Sequence, residues 1–281
     1  MKKVSEKPLV IQRIFDRLWD ADAKTFRRTM VTMNDVLEAI RWCNANKGTN
    51  LSERNPANFF KDFIRRSRAS QLWPAELQAI RWTARQVTGD GLVFEFVPYA
   101  PSQVDAFPDR FTIREDTPKH DIQSLSIPLA SKQLGRNDET YLIQIAVKLA
   151  IIETHFALYS PLRILELSHI QIGIKLRKCE VDSLFAATLE TGKKTREQII
   201  ITCEAKKRGQ RILEEQIIRQ VEAAFEETDA RIVVPIAMVA VKGGIHVVEF
   251  KAVERKDLDL FAELSMQSDA WYRLHPRVKG I

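Results

Sequence analysis

The sequence predicts an α/β (α+β) chain in two parts, helical first and strand-rich second, with a mixed sheet flanked by helices in the second part. Three observations lead there. Apolar residues recur at helical spacing through most of the chain before Gln86. After Asp138 the apolar residues fall instead into runs of strand length, either alternating or continuous. Between the two parts, residues 101–137 are rich in Pro, Asp, Ser and Lys and lack periodicity, which reads as a linker or surface crossing between a domain at 1–100 and another at 138–281.

The first helix is KPLVIQRIFDRLW, with Val10, Ile14 and Leu18 on one stripe. Asn34 is the expected N-cap of a second, DVLEAIRWCNANKG, which carries Val36, Leu37, Ile40 and Cys43 inward and stops at Gly48. A third follows Asn55 as cap and Pro56 as first helical residue, burying Phe59, Phe60, Phe63 and Ile64. LWPAELQAIRWTARQ reads as a further helix, and the turn TGDG leads into the strand LVFEFVPY. Helices followed by a strand at a glycine turn fit a winged helix-turn-helix, and ordinary helical layers give the same pattern.

The second part opens with DETYLIQIAVKLAIIETHFALYS, apolar on nearly every face and so a helix buried in a large core. The strands HIQIGIKL, CEVDSLFAATL and EQIIITCEAK come next, then the helix ILEEQIIRQVEAAFEE, then the strands RIVVPIAMVAV and IHVVEFKAV. This order calls for a mixed sheet with helices on its faces.

Composition narrows the function classes. A 45% hydrophobic, 28% charged chain of 281 residues forms cores and is not disordered. Its net charge of +6 permits a polyanionic partner. The start MKKVSEKPLVIQRIFDRLWD has no uninterrupted apolar core, and the most apolar segments are interrupted by charge or too short to span a bilayer. A soluble, cytoplasmic protein without a membrane partner is expected. Cys43, Cys179 and Cys203 stand singly, against a disulfide framework or a structural zinc site, and five isolated histidines show no metal-binding spacing. No glycine-rich phosphate loop is visible, so no nucleotide cofactor is expected.

One constellation carries chemistry. CEVDSLFAATLETGKKTREQIIITCEAK reads as a hairpin turning around Gly192, Lys193 and Lys194. Pairing symmetrical about Lys193 sets Asp182 directly opposite Glu204, and Lys206, two residues on, shares their face. Two facing carboxylates suit Mg²⁺, a hard cation that prefers oxygen. A bound Mg²⁺ polarises a phosphate and makes its water more acidic. Lys206 would orient or deprotonate that water and offset charge on the phosphate.

Asp182 followed after a hairpin by Glu204-Ala205-Lys206 resembles the signature of the PD-(D/E)xK nucleases, the superfamily of many type II restriction endonucleases, over roughly residues 140–253. The resemblance implies a restriction-endonuclease-like core and an Mg²⁺-dependent endonuclease, with Mn²⁺ as a substitute. It also implies Glu153 as a further acid from the helix before the sheet, the carbonyl of Ala205 as a metal ligand, and Gln216 as a site residue on the following helix. The family's Pro before the Asp is absent here, where the chain reads Glu180-Val181-Asp182, so either Glu180 or Asp182 can be the first acid.

The expected substrate is double-stranded DNA, cut by a homodimer. The helix around Phe59 exposes Asn58, Lys61, Arg65, Arg66 and Arg68, which could read base edges, neutralise phosphates or only solubilise the helix. Lys207 and Arg208, just past the motif, could contact phosphates or form a solvated helix entrance. The alternatives to restriction are a repair or junction nuclease with the same motif, and a DNA-binding protein using the scaffold without catalysis.

Overall fold

A computed structural model of the chain describes residues 5–87, 89–176, 179–192, 195–261 and 263–281. The chain divides into two units, Met1–Arg110 and Phe111–Ile281.

In the first unit, α1 (Lys7–Leu18) precedes the short strands β1 (Trp19–Asp20) and β2 (Thr25–Phe26). Strand β3 (Met30–Thr32) then runs directly into α2 (Met33–Lys47). The cap of α2 is Thr32, not Asn34. Thr32 Oγ1 accepts from the Asp35 N–H and Asp35 accepts from the Thr32 N–H, so a capping box starts the helix two residues earlier than expected. Gly48 ends it in the left-handed region at φ 64°, where glycine carries no Cβ penalty.

Asn55 makes no side-chain cap; Pro56–Asn58 form a 3₁₀ turn leading into α3 (Phe59–Ile64). The expected burial of Phe59, Phe60, Phe63 and Ile64 is met. Phe60 stacks on Phe94 at 4.7 Å between ring centroids, tying α3 to the strand LVFEFVP. LWPAELQAIRWTARQ is not one helix. Pro74 separates α4 (Ala69–Leu72) from α5 (Ala75–Ala79), and Arg81 at φ 58° turns the chain into β4 (Trp82–Gln86). Strand β4 pairs with β5 (Leu92–Pro98), giving a three-stranded antiparallel sheet in the order β3-β5-β4.

The expected linker does not hold as one. Residues 101–110 belong to the first unit, and the rest supplies β6 (Lys119–Gln123) and α6 (Leu129–Leu134) to the second. Strand β6 pairs in parallel with a late strand, a long-range partner that its alternating, mostly polar sequence does not announce. The long apolar helix is also two: α7 (Glu139–Lys148) and α8 (Ile151–Leu158) meet at 63°, with Ala150 left-handed at φ 50°. Together they have the apolar length of a membrane span, but among the described residues no single helix does.

Strands β7 (Ile164–Lys175), β8 (Glu180–Glu190) and β9 (Arg196–Lys206) follow, then α9 (Glu214–Glu227). After α9 come β10 (Ile232–Val241), β11 (Gly244–Phe250), β12 (Val253–Glu254) and β13 (Met266–His275), the last of these not foreseen in the sequence. The main sheet runs β6-β13-β11-β10-β9-β8-β7, with β12 pairing β10. It is mixed, as expected: β9–β10 and β13–β6 are parallel and the other neighbours antiparallel.

Parallel pairing of β9 with β10 requires a crossover, which α9 provides. The two faces of β9 therefore meet different helices. Ile201, Cys203 and Ala205 pack in one core with Ile151, Ile152 and Phe156 of α8. On the other face Ile217 of α9 packs with Ala237, Val248 and Phe250.

Candidate active site

Strands β8 and β9 pair from Ser183↔Cys203 to Glu190↔Arg196, the register expected from symmetry about Lys193. The turn residues Lys193 and Lys194 lie outside the described residues. One step outward from the Ser183↔Cys203 pair come Asp182 on β8 and Glu204 on β9. Asp182 Oδ2 accepts from the backbone N–H of Ala205 at 2.9 Å. Of the two candidate acids, Asp182 is therefore the one that reaches the motif. Glu180 has an exposed side chain, and its carbonyl accepts from Gln220.

Glu204 is 0% and Lys206 3% exposed, a degree of burial that charged side chains tolerate only when paired. They pair with each other: Lys206 Nζ donates to Glu204 Oε1. Lys206 Nζ also donates to Gln216 Oε1 at 2.9 Å, which brings Gln216 to the pair. Gln220, which the sequence reading missed, donates from Nε2 to Glu204 Oε2 and to the carbonyl of Glu180. Its signal was present: a glutamine in the apolar stripe formed by Ile217, Val221 and Ala224 has no packing reason to be there.

Glu153 does not come to this cluster. It sits on α8, which covers the opposite face of the sheet. Burial pushes its carboxyl above the usual range, and Oε2 has no hydrogen-bond partner. Among the described residues no three His, Cys, Asp or Glu side chains converge into a metal-binding group. The oxygen donors the structure brings to the site are the carboxylates of Asp182 and Glu204, suited to a hard divalent cation. Two carboxylates against one ammonium leave a negative charge unbalanced in a buried place. This donor set fits Mg²⁺.

The same imbalance shows in Asp182, whose carboxyl is pushed up to about 7, first by burial and second by the charge of Glu204; the Ala205 N–H and Lys206 oppose the shift. A raised carboxyl stabilises the fold most at acid pH, and that contribution is lost as pH rises through about 7. Without divalent metal, stability is therefore expected to fall between about pH 4 and pH 7, by roughly 4 kcal/mol at most. Carboxyl ¹³C NMR should follow Asp182 titrating near neutrality and moving to lower pH on adding Mg²⁺. An Asp182 that titrates below pH 5 without metal would contradict this account.

The other expected DNA contacts are dispersed. Lys207 is half-buried, 3.7 Å from Glu139, whereas Arg208 is exposed. In the first unit Asn58, Arg66 and Arg68 are exposed, and Lys61 and Arg65 are half-buried, with Arg65 3.5 Å from Asp62. Lys7, not singled out in the sequence, lies 3.9 Å from Asp62, and its ammonium is held below the usual range by burial and by Arg66 and Arg65. His155 and His246 are buried core residues with partners: His155 contacts Tyr272 and Ser268, and His246 contacts Asp269.

The chain matches no family model, no curated protein and no solved structure.

Proposed function

We propose that the chain is an Mg²⁺-dependent endonuclease hydrolysing double-stranded DNA, of the type II restriction kind. The observation that carries this reading is the meeting of Asp182 with Glu204-Ala205-Lys206 on paired strands, with a buried lysine bonded to the second acid. Asp182, Glu204 and the carbonyl of Ala205 would hold the cation. When bound it supplies charge neutralisation at the scissile phosphate and a more acidic water. Lys206 donates two N–H groups to Glu204 and Gln216. Its third is left to orient the attacking water or a phosphate oxygen, and its charge offsets what develops on the phosphate. Gln216 keeps the ammonium in place.

The first unit is the proposed reader. Its order of helix, strand, helix, short helices and hairpin, with the sheet order β3-β5-β4, supports the winged-helix reading. The exposed Asn58 suits an adenine edge, and Arg66 and Arg68 suit guanine or phosphate. Asn58→Ala is expected to weaken binding at particular base pairs by roughly 1–3 kcal/mol, whereas loss of a phosphate contact weakens all sequences alike and lowers the salt slope. Affinities for the preferred site and its single-base variants at two salt concentrations separate the two. Uniform weakening by Asn58→Ala would move base reading elsewhere. Cutting both strands calls for two such sites, hence a homodimer.

The test is incubation with plasmid DNA and Mg²⁺ or Mn²⁺. Discrete fragments support restriction, and a smear an unspecific nuclease. DNA that is bound but uncut supports a DNA-binding protein on this scaffold. Ca²⁺ in place of Mg²⁺ should permit binding with little cutting, since it coordinates more loosely and activates water poorly.

A further inference from the structure

We infer that Gln220 is a positioning residue for Glu204, and that Gln216 and Gln220 together clamp the Glu204–Lys206 pair through opposite ends of their amides. The inference deepens the nuclease reading and rests on it for its catalytic consequence. The two glutamines stand one turn apart on α9 and so share a face. Gln216 turns its oxygen to the cation, accepting from Lys206 Nζ at 2.9 Å. Gln220 turns its nitrogen to the anion, donating to Glu204 Oε2 and, at 3.2 Å, to the carbonyl of Glu180.

The orientation of Gln220 is fixed chemically. Both neighbours of its nitrogen are oxygens, and a flipped amide would set oxygen against each of them. Holding this orientation leaves Gln220 Oε1 buried without a partner, in a side chain that is 0% exposed. A residue needed only for packing would be apolar, as Ile217, Val221 and Ala224 are on the same stripe. The unfavourable oxygen is tolerated because the nitrogen fixes Glu204. With Glu204 and Lys206 each tied to α9, the carboxylate presents its remaining lone pairs in one direction, and the ammonium stays beside it. Partners of this kind commonly change metal affinity 10–100-fold when removed.

The experiment compares Mn²⁺ binding by calorimetry for the wild-type chain and Gln220→Leu, with thermal unfolding of both. Gln220→Leu is expected to bind Mn²⁺ about 10–100-fold more weakly, and the loss of the donor to Glu204 Oε2 and the Glu180 carbonyl lowers its melting temperature as well. In cleavage, the Mg²⁺ concentration for half-maximal rate should rise by the same factor, with less change in rate at saturating Mg²⁺. A purely structural glutamine lowers the melting temperature but leaves Mn²⁺ affinity unchanged, and that result overturns the inference. Should Gln220→Leu not fold, Gln220→Met carries the measurement. A wild-type chain that binds Mn²⁺ but cuts no DNA removes the nuclease reading and leaves the clamp to stand on the affinity ratio. A wild-type chain that binds no Mn²⁺ overturns both.

Discussion

Asp182→Asn is expected to lower the rate of DNA cleavage by at least about 10²–10³-fold, with the fold and DNA affinity largely kept. Asn preserves the size and one oxygen of the side chain, so the Ala205 N–H at 2.9 Å retains an acceptor while the charge facing Glu204 disappears. The change also relieves repulsion between two buried acids, so the variant should be no less stable than the wild type at neutral pH. Loss of cleavage in a protein at least as stable separates a chemical role from a folding defect. Lys206→Ala should abolish cleavage to a similar degree. Cleavage by either variant within tenfold of wild type, measured in single turnovers at saturating Mg²⁺, would remove these residues from the site.

Lys206→Met should have the largest effect on stability, about 3–5 kcal/mol, because it strands the fully buried Glu204 without its cation. The methionine fills the volume of the lysine stem, so the loss is electrostatic rather than a cavity effect. Combining it with Glu204→Gln removes the stranded charge and should recover most of the stability, though not cleavage. Urea unfolding of the single and double variants forms a cycle in which the pair's coupling is read directly. A Lys206→Met protein as stable as wild type would mean that water reaches Glu204, and that the pair is not buried in solution.

The hairpin was legible because strand geometry turns counting into position. Once a centre is set near Lys193, every pair from Ser183↔Cys203 to Glu190↔Arg196 follows, and so does the facing of Asp182 and Glu204. Gln216 was legible only through the family pattern, since helical spacing alone does not say which face of α9 meets Lys206. Gln220 went unseen because a glutamine among Ile217 and Val221 reads as a lapse in the stripe until its partner on β9 is known. Glu153 failed for a related reason. Periodicity placed it on a helix before the sheet, but local pattern says neither which sheet face that helix covers nor that the helix breaks by 63° at Ala150, since a left-handed φ leaves no mark in an alanine. The linker reading missed β6 because a parallel partner more than a hundred residues away is invisible to local pattern.

The helix α9 has a consequence for the site's ancestry and assembly. Because it follows β9 directly and folds back over it, every side chain of the cluster lies in one uninterrupted stretch from Glu180 to Gln220. Contacts this close along the chain close small loops and are quick to form. The proposed cutting centre is thus a contiguous cassette, whereas the proposed reader occupies a unit ending at Arg110. One recombination event between the two could hand the same chemistry a new target sequence, with no catalytic residue displaced.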